Sequence, residues 1–394
     1  MENKNLDSYN EDNQEIDAIE ESEKDYNSNN DLNRLDVNYY TVERTIENLL
    51  KWIKNKKLEI PDFQRDFVWD YDKASLLIDS VLTNLPIPNV FVYREIVNQK
   101  ERFILIDGKQ RLTTFSFFVD EKFPDKKGKF KEFRINDNSH ASWYKKKYSE
   151  LVSDDKEAFD EYNIKLTVFE NQKDVSVKEK NKAMYQIFKR VNTGADVLQP
   201  QEIRNAIYNG EILNLIKEYA DDENGDYKRL ISKDDRILKR YKLHEVILRF
   251  LTYYDIYLKY KKEQKYNELS KNDAINNYLD ESSDNKSNFD LQFNKLKKAL
   301  NVLCTFDDSI MYNVNRNKDG IGKRVHETFC EALIIAVIEN EFVIKINKDE
   351  MKKKKIGIWQ LDAEKKYFVS NTLSIEHINK RVDILMGIIN GSAK

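Results

Sequence analysis

Three short segments set polar side chains capable of chemistry against apolar runs: Phe63-Gln64-Arg65, Phe67-Val68-Trp69 and Asp107-Gly108-Lys109-Gln110-Arg111. The third is the most informative. It follows Arg102 to Ile106, a β-branched and aromatic run, and precedes Leu112, Phe115 and Val119, which repeat as one helical face. The junction therefore reads strand, tight turn, helix. The first amides of a helix lie outside its hydrogen-bond ladder and its dipole is positive there, which favours an anion such as phosphate. Lys109 and Arg111 add to that field, and Arg65 and Arg111 could grip phosphate oxygens in bidentate fashion. Asp107 would repel the same phosphate unless it held Mg²⁺ or oriented a water, a combination that describes a nucleotide-hydrolysing pocket. The plainer reading makes Asp107 a helix cap, with Gln110 and Arg111 in the first turn. Spacing alone favours that reading, because an Asp-Gly step is a common turn and the segment lacks the Gly-x-x-x-x-Gly-Lys-Ser/Thr pattern. Phe67 and Trp69 could stack on a base, although aromatics in this setting more often belong to a core.

The elements that must position these residues are legible in outline. Ile46, Leu49, Leu50 and Ile53 predict a helix that starts from about Val42 and ends near the lysines at 54–57. Asp72 is a fitting N-cap for a second helix carrying Leu76, Leu77, Ile78, Val81 and Leu82, which stops before Pro86 and Pro88. Asn89 to Ile96 and Arg102 to Ile106 form a hairpin, and Ile164 to Phe169 is a further strand. Ser176 with Glu179 makes a capping box for a helix that ends at Asn192-Thr193-Gly194. Beyond it helices are expected at Gln201–Tyr208, Tyr241–Tyr260, Phe289–Leu303, Lys323–Glu339 and Ser374–Ile389. The fold class is α+β: a small sheet with flanking helices over 38–172, then a mostly helical domain over 173–394.

Composition narrows the function. Residues 1–36 hold twelve acidic and three basic side chains and few large apolar ones, so 1–37 reads as a disordered acidic tail. The rest holds 57 acidic and 63 basic residues, too mild an excess to argue for nucleic acid by itself. Cys304 and Cys330 lie far apart without a Cys-x-x-Cys spacing, which suits a reducing compartment and leaves no zinc ribbon. There is no apolar run long enough to span a membrane and no signal peptide at the start, so a cytoplasmic location without membrane partners is expected. Asp234-Asp235-Arg236, Arg240 and Arg249 could form a basic face for DNA phosphates or a solvated helix face. The lysine runs at 145–147 and 352–355 read as exposed loops.

Ile60-Pro61-Asp62-Phe63-Gln64-Arg65-Asp66-Phe67-Val68-Trp69, Pro86-Ile87-Pro88 and Ile106-Asp107-Gly108-Lys109-Gln110-Arg111-Leu112-Thr113-Thr114 closely resemble, in order and spacing, the GmrSD-type restriction-system N-terminal domain family. Phe188-Lys189-Arg190-Val191-Asn192-Thr193-Gly194, then Leu198 and Gln201-Glu202-Ile203-Arg204-Asn205-Ala206, resemble its connection into the helical half. The resemblance covers roughly residues 40–210 and implies a ParB/sulfiredoxin-like fold with an Asp-Gly-Gln-Gln-Arg signature linked to nucleotide binding and hydrolysis. It points to Asp107 and Gln110 as catalytic, to Gln64, Arg65, Gly108, Lys109 and Arg111 as nucleotide- or phosphate-binding, and to Asp107 as the ligand of Mg²⁺. A nucleoside triphosphate is then the ligand or substrate, and DNA and a separately encoded nuclease or other defence subunit are the partners. Lys109 departs from the family, which has glutamine there, and so loses an amide acceptor. A non-enzymatic DNA-binding or protein-interaction module with a degenerate nucleotide pocket is the alternative.

Some relatives continue into an HNH nuclease, but Ile375-Glu376-His377-Ile378 is followed by no further histidine. His140, His244 and His326 have no zinc-ligand spacing, and Pro61-Asp62 and Pro124-Asp125 lack the Glu-x-Lys partner of a nuclease core. The sequence offers no nuclease centre.

Overall fold

The computed structural model describes residues 37–61, 67–97, 99–125, 129–136, 142–171, 175–192, 198–208, 210–222, 225–231, 234, 237–238, 241–262, 269–314, 320–369 and 374–392. The acidic tail, Gln64, Arg65, Thr193, Gly194, Asp235, Arg236 and Arg240 lie outside them. The chain divides into two compact units, one running to Ile207 and one beginning at Tyr208. The first thus extends past residue 172, the end of the sheet domain read from sequence.

In the first unit, β1 (Val37–Thr45) leads into α1 (Ile46–Lys54), capped by Thr45, whose hydroxyl accepts from the Asn48 amide at 3.2 Å. After β2 (Leu58–Glu59) comes α2 (Tyr71–Leu82). Its N-cap is Asp70 rather than Asp72: the Asp70 carboxylate accepts from the Lys73 amide at 2.8 Å, so the helix starts a turn fragment earlier than expected. β3 (Val90–Val97) and β4 (Lys100–Asp107) make the expected hairpin and feed α3 (Lys109–Val119). A two-stranded ribbon, β5 (Lys122–Pro124) with β6 (Phe130–Glu132), and α4 (Ser153–Asp160) precede β7 (Asn163–Asn171).

The five-stranded sheet has the order β1-β7-β3-β4-β2. It is mixed: β1 with β7 and β3 with β4 are antiparallel, whereas β7 with β3 and β4 with β2 are parallel. Alternate residues of its central strands, such as Val90, Val92, Phe103 and Leu105, enter a core with Ile46 and Leu49 of α1, Ile78 and Val81 of α2, Leu112 and Phe115 of α3, and Phe159 of α4. The capping box at Ser176 forms as expected, with the Glu179 amide at 3.2 Å from the Ser176 hydroxyl and the Ser176 amide at 2.8 Å from the Glu179 carboxylate. It opens α5 (Val177–Val191), which packs on β4 and is followed by α6 (Pro200–Ile207).

Among its described residues the second unit is helical apart from one small ribbon. It comprises α7 (Glu211–Asp221), α8 (Asp226–Ile231), α9 (Lys242–Lys261), α10 (Lys271–Asp284), α11 (Lys286–Phe306), β8 (Tyr312–Val314), β9 (Ile321–Val325), α12 (Glu327–Glu339), α13 (Lys348–Gln360), α14 (Asp362–Val369) and α15 (Ile375–Ile389). α9 and α12 are nearly enclosed by their neighbours and supply much of an aliphatic and aromatic core distinct from that of the first unit. The fold is therefore α+β, as the sequence indicates.

Candidate functional site

Where β4 ends, Gly108 adopts φ +116°, a left-handed conformation that frees glycine from the penalty a side chain would incur. A Cβ at this position would lie 2.9 Å from a Val90 methyl. The turn is thus held tight against the start of β3, and Gly108 presents no side chain before the N-terminus of α3. Its carbonyl takes the first ladder bond, from the Leu112 amide at 3.0 Å.

Within the first turn of α3, the Arg111 guanidinium folds back on the corner. Its Nη2 donates to the Asn89 carbonyl at 2.9 Å and to the Asp107 carboxylate at 3.1 Å, while its Nε is buried without an acceptor. The Asp107 side chain is 42% exposed and that of Arg111 13%. Asp107 therefore does not cap the helix as the plainer sequence reading had it: the structure gives α3 no side-chain cap and pairs the carboxylate with Arg111.

The direction of Asp107 comes from a slip in the hairpin. Val92 stands opposite Leu105, but Phe91 stands opposite Asp107 rather than Ile106. Ile106 is the extra residue of a β-bulge, a device that re-aims side chains at the ends of strands.

Gln110, the next motif residue, turns towards a third chain segment. Its Oε1 accepts from the amides of Val68 at 3.0 Å and Trp69 at 3.4 Å. The segment that follows Gln64 and Arg65 is thereby fastened to the first turn of α3, 41 residues away in sequence. Two motifs that are far apart in the chain meet here. Phe67 sits edge-on to Phe117 at 4.9 Å and Phe123 at 5.5 Å, a core position. Trp69 is half-buried, with the Lys73 ammonium 4.8 Å from its ring centre. Lys109 is half-buried at the opening of α3.

A fourth segment joins from the far side. Asn192 ends α5, and its side-chain amide donates to the Phe188 carbonyl at 2.9 Å and to the bulged Ile106 carbonyl at 3.3 Å. Periodicity could not have found this residue's reach to β4. In α6, Gln201, Glu202, Arg204 and Asn205 are all buried. The Gln201 amide donates to Asn205 at 3.1 Å, and Arg204 donates to Gln201 at 3.2 Å. The sequence marks this stretch as a helix and as part of the resemblance, but not its buried polar bonds.

Residues 46–209 match the family model described as GmrSD restriction endonuclease, N-terminal domain. This stretch is a GmrSD N-terminal domain. No curated protein matches the chain. The GmrSD N-terminal domain closely overlaps the compact unit that ends at Ile207, which also holds α5, packed on β4, and α6, packed on α5. All four segments that meet at the corner belong to the GmrSD N-terminal domain.

The helical unit corrects two sequence expectations. Arg249 is neither on a basic face nor solvated: it is 3% exposed and ion-paired with Glu327 and Glu331. Asp234 is buried too, and its carboxylate accepts from the Val325 amide at 2.8 Å. Lys355, read as part of an exposed loop, lies fully buried in α13 and donates to the carbonyls of Ile310 and Tyr312. His377 is half-buried on α15, edge-on to Tyr367. No helix among the described residues is long and apolar enough to cross a membrane, and none of their His, Cys, Asp and Glu side chains group in threes or more around a metal position. A cleft of about 320 Å³ among α9, α10 and α11 has a polar floor whose groups satisfy one another: Tyr278 donates to Gln292, and Gln292 and Lys259 donate to Asp255. It contains none of the motif residues.

Proposed function

We propose that this chain is a nucleotide-binding subunit of a restriction-type defence system acting on DNA, with the nucleotide phosphates at the β4–α3 corner. One observation carries the reading: a side-chain-free left-handed glycine opens α3 between a half-exposed carboxylate and a guanidinium fixed behind it. The left-handed turn at Gly108 sets the first amides of α3 beside Asp107, and Lys109, Arg111 and Arg65 supply positive charge. Since Nη2 of Arg111 is engaged with Asn89 and Asp107, its part in phosphate binding falls to the remainder of the guanidinium. Gln110 serves by holding the segment that leads back to Gln64 and Arg65.

Mg²⁺ is commonly held by one or two carboxylates together with substrate phosphates rather than by a cage of protein ligands. Asp107, exposed on one side and steadied by Arg111 on the other, fits that requirement. Asp107 would hold Mg²⁺ or orient a water there, and the metal would supply charge that offsets that of the phosphates.

The test is retention of each labelled nucleoside triphosphate by the purified chain in the presence of Mg²⁺. At least one should bind, and Arg111→Ala should weaken it by about 10–100-fold, the loss of a charge-assisted hydrogen bond. If none of them binds, the corner holds no nucleotide. Lys109 and the internal pairing of Arg111 favour a second reading, a DNA-binding module without turnover. Steep salt dependence of DNA binding that survives Asp107→Ala would support it.

A further inference from the structure

We infer that Asn192 is a positioning residue of the β4–α3 corner: its amide holds the bulge at Ile106 and so sets the direction of Asp107. A bulged residue loses its place in the ladder, and its peptide needs a partner from elsewhere. The Ile106 carbonyl finds one in Asn192 Nδ2 at 3.3 Å. The same nitrogen donates to Phe188 at 2.9 Å, and the Asn192 main-chain amide donates to Phe188 at 3.2 Å, so the side chain is anchored on the last turn of α5 before it reaches across. An ordinary helix end needs no bond to another element, since Lys189 and Arg190 already place positive charge in this last turn. The second bond therefore belongs to the corner. It ties the end of β4 to α5 by donating to a carbonyl, while Gln110 ties the start of α3 to the Val68–Trp69 segment by accepting from its amides. The consequence for ligand binding rests on the nucleotide reading above; the consequence for the bulge does not.

The experiment uses the full chain carrying Asn192→Gly, which retains a residue favoured at helix ends but removes the amide, and Asn192→Asp, which sets a carboxylate against two carbonyls. Hydrogen exchange of the amides from Asp107 to Leu112 should speed up several-fold to about tenfold in both variants, while Asn192→Gly leaves the last turn of α5 unchanged. Retention of the labelled triphosphate that the native chain binds should fall in parallel. Unchanged exchange at the corner, with any loss confined to α5, would reduce Asn192 to a helix cap and overturn the inference. If the native chain retains no triphosphate, the nucleotide reading fails, and the exchange result still decides the role of Asn192.

Discussion

A side chain at position 108 would meet two obstacles at once, a φ of +116° and a Val90 methyl 2.9 Å from its Cβ. Neither can be relieved without moving β3 against α3, because Arg111 bonds both the residue before β3 and the last residue of β4. Gly108→Ala should therefore destabilise the GmrSD N-terminal domain by about 1–3 kcal/mol, combining backbone strain with overpacking. A urea midpoint within error of the native one would show that the turn relaxes freely. The Asp-Gly step marked this turn in the sequence because a glycine after a strand and before a helical face has few other uses. The bonds of Gln110 and Asn192 left no such mark. Each depends on a main-chain partner 41 or 86 residues away, and an amide side chain looks the same whether it meets solvent or main chain.

Among the elements, helix starts with local caps were the most legible. Ser176 and Glu179 satisfy each other within one turn, so the motif carries its own proof. β1 was missed because it lies at the sheet edge with most of Asn38–Glu43 exposed, and its Tyr-Tyr-Thr-Val stretch shows no clean alternation. α13 was missed because four successive lysines hide a buried face of Met351, Lys355, Ile358 and Trp359. Lys355 bears on a neighbouring cap, His326, whose Nδ1 accepts from the Phe329 amide at 3.2 Å and so must carry a lone pair. Burial, reinforced by the Lys355 ammonium, pulls the His326 pKa from 6.5 to about 3. The unfolded chain takes up this proton near pH 6.5 and the folded chain refuses it until about pH 3, so the cap's contribution is complete above pH 6.5 and is lost as the pH falls. Between pH 7 and pH 5 the native chain should lose on the order of 1–2 kcal/mol more than His326→Asn, which can still cap the helix. A difference between the two that stays constant with pH would mean that His326 titrates normally in the folded state.

For the whole molecule, the two cores divide the consequences of substitution. The helical unit encloses charge as well as aliphatic side chains: Arg249 lies between Glu327 and Glu331, and Lys242 also pairs with Glu327. Burial raises the pKa of Glu327, but Lys242, Arg249 and Lys271 more than offset this and hold it ionised well below the usual carboxylate range. Arg249→Leu would leave two enclosed carboxylates short of their cation, a loss of about 3–5 kcal/mol, whereas replacing Arg249, Glu327 and Glu331 together by leucine should cost much less. Sequence could not disclose this network, since Arg249 and Glu331 are 82 residues apart and each resembles a surface charge on its own helix. The division itself makes the final prediction. Gly108→Ala acts on a core closed within residues 46–168, and Arg249→Leu on one closed within residues 212–389. Hydrogen exchange resolved by peptide across a urea series should show the first substitution shifting opening only in the GmrSD N-terminal domain and the second only in the helical unit. If either substitution shifted both sets of peptides by the same free energy, the chain would unfold as one cooperative unit despite its two cores.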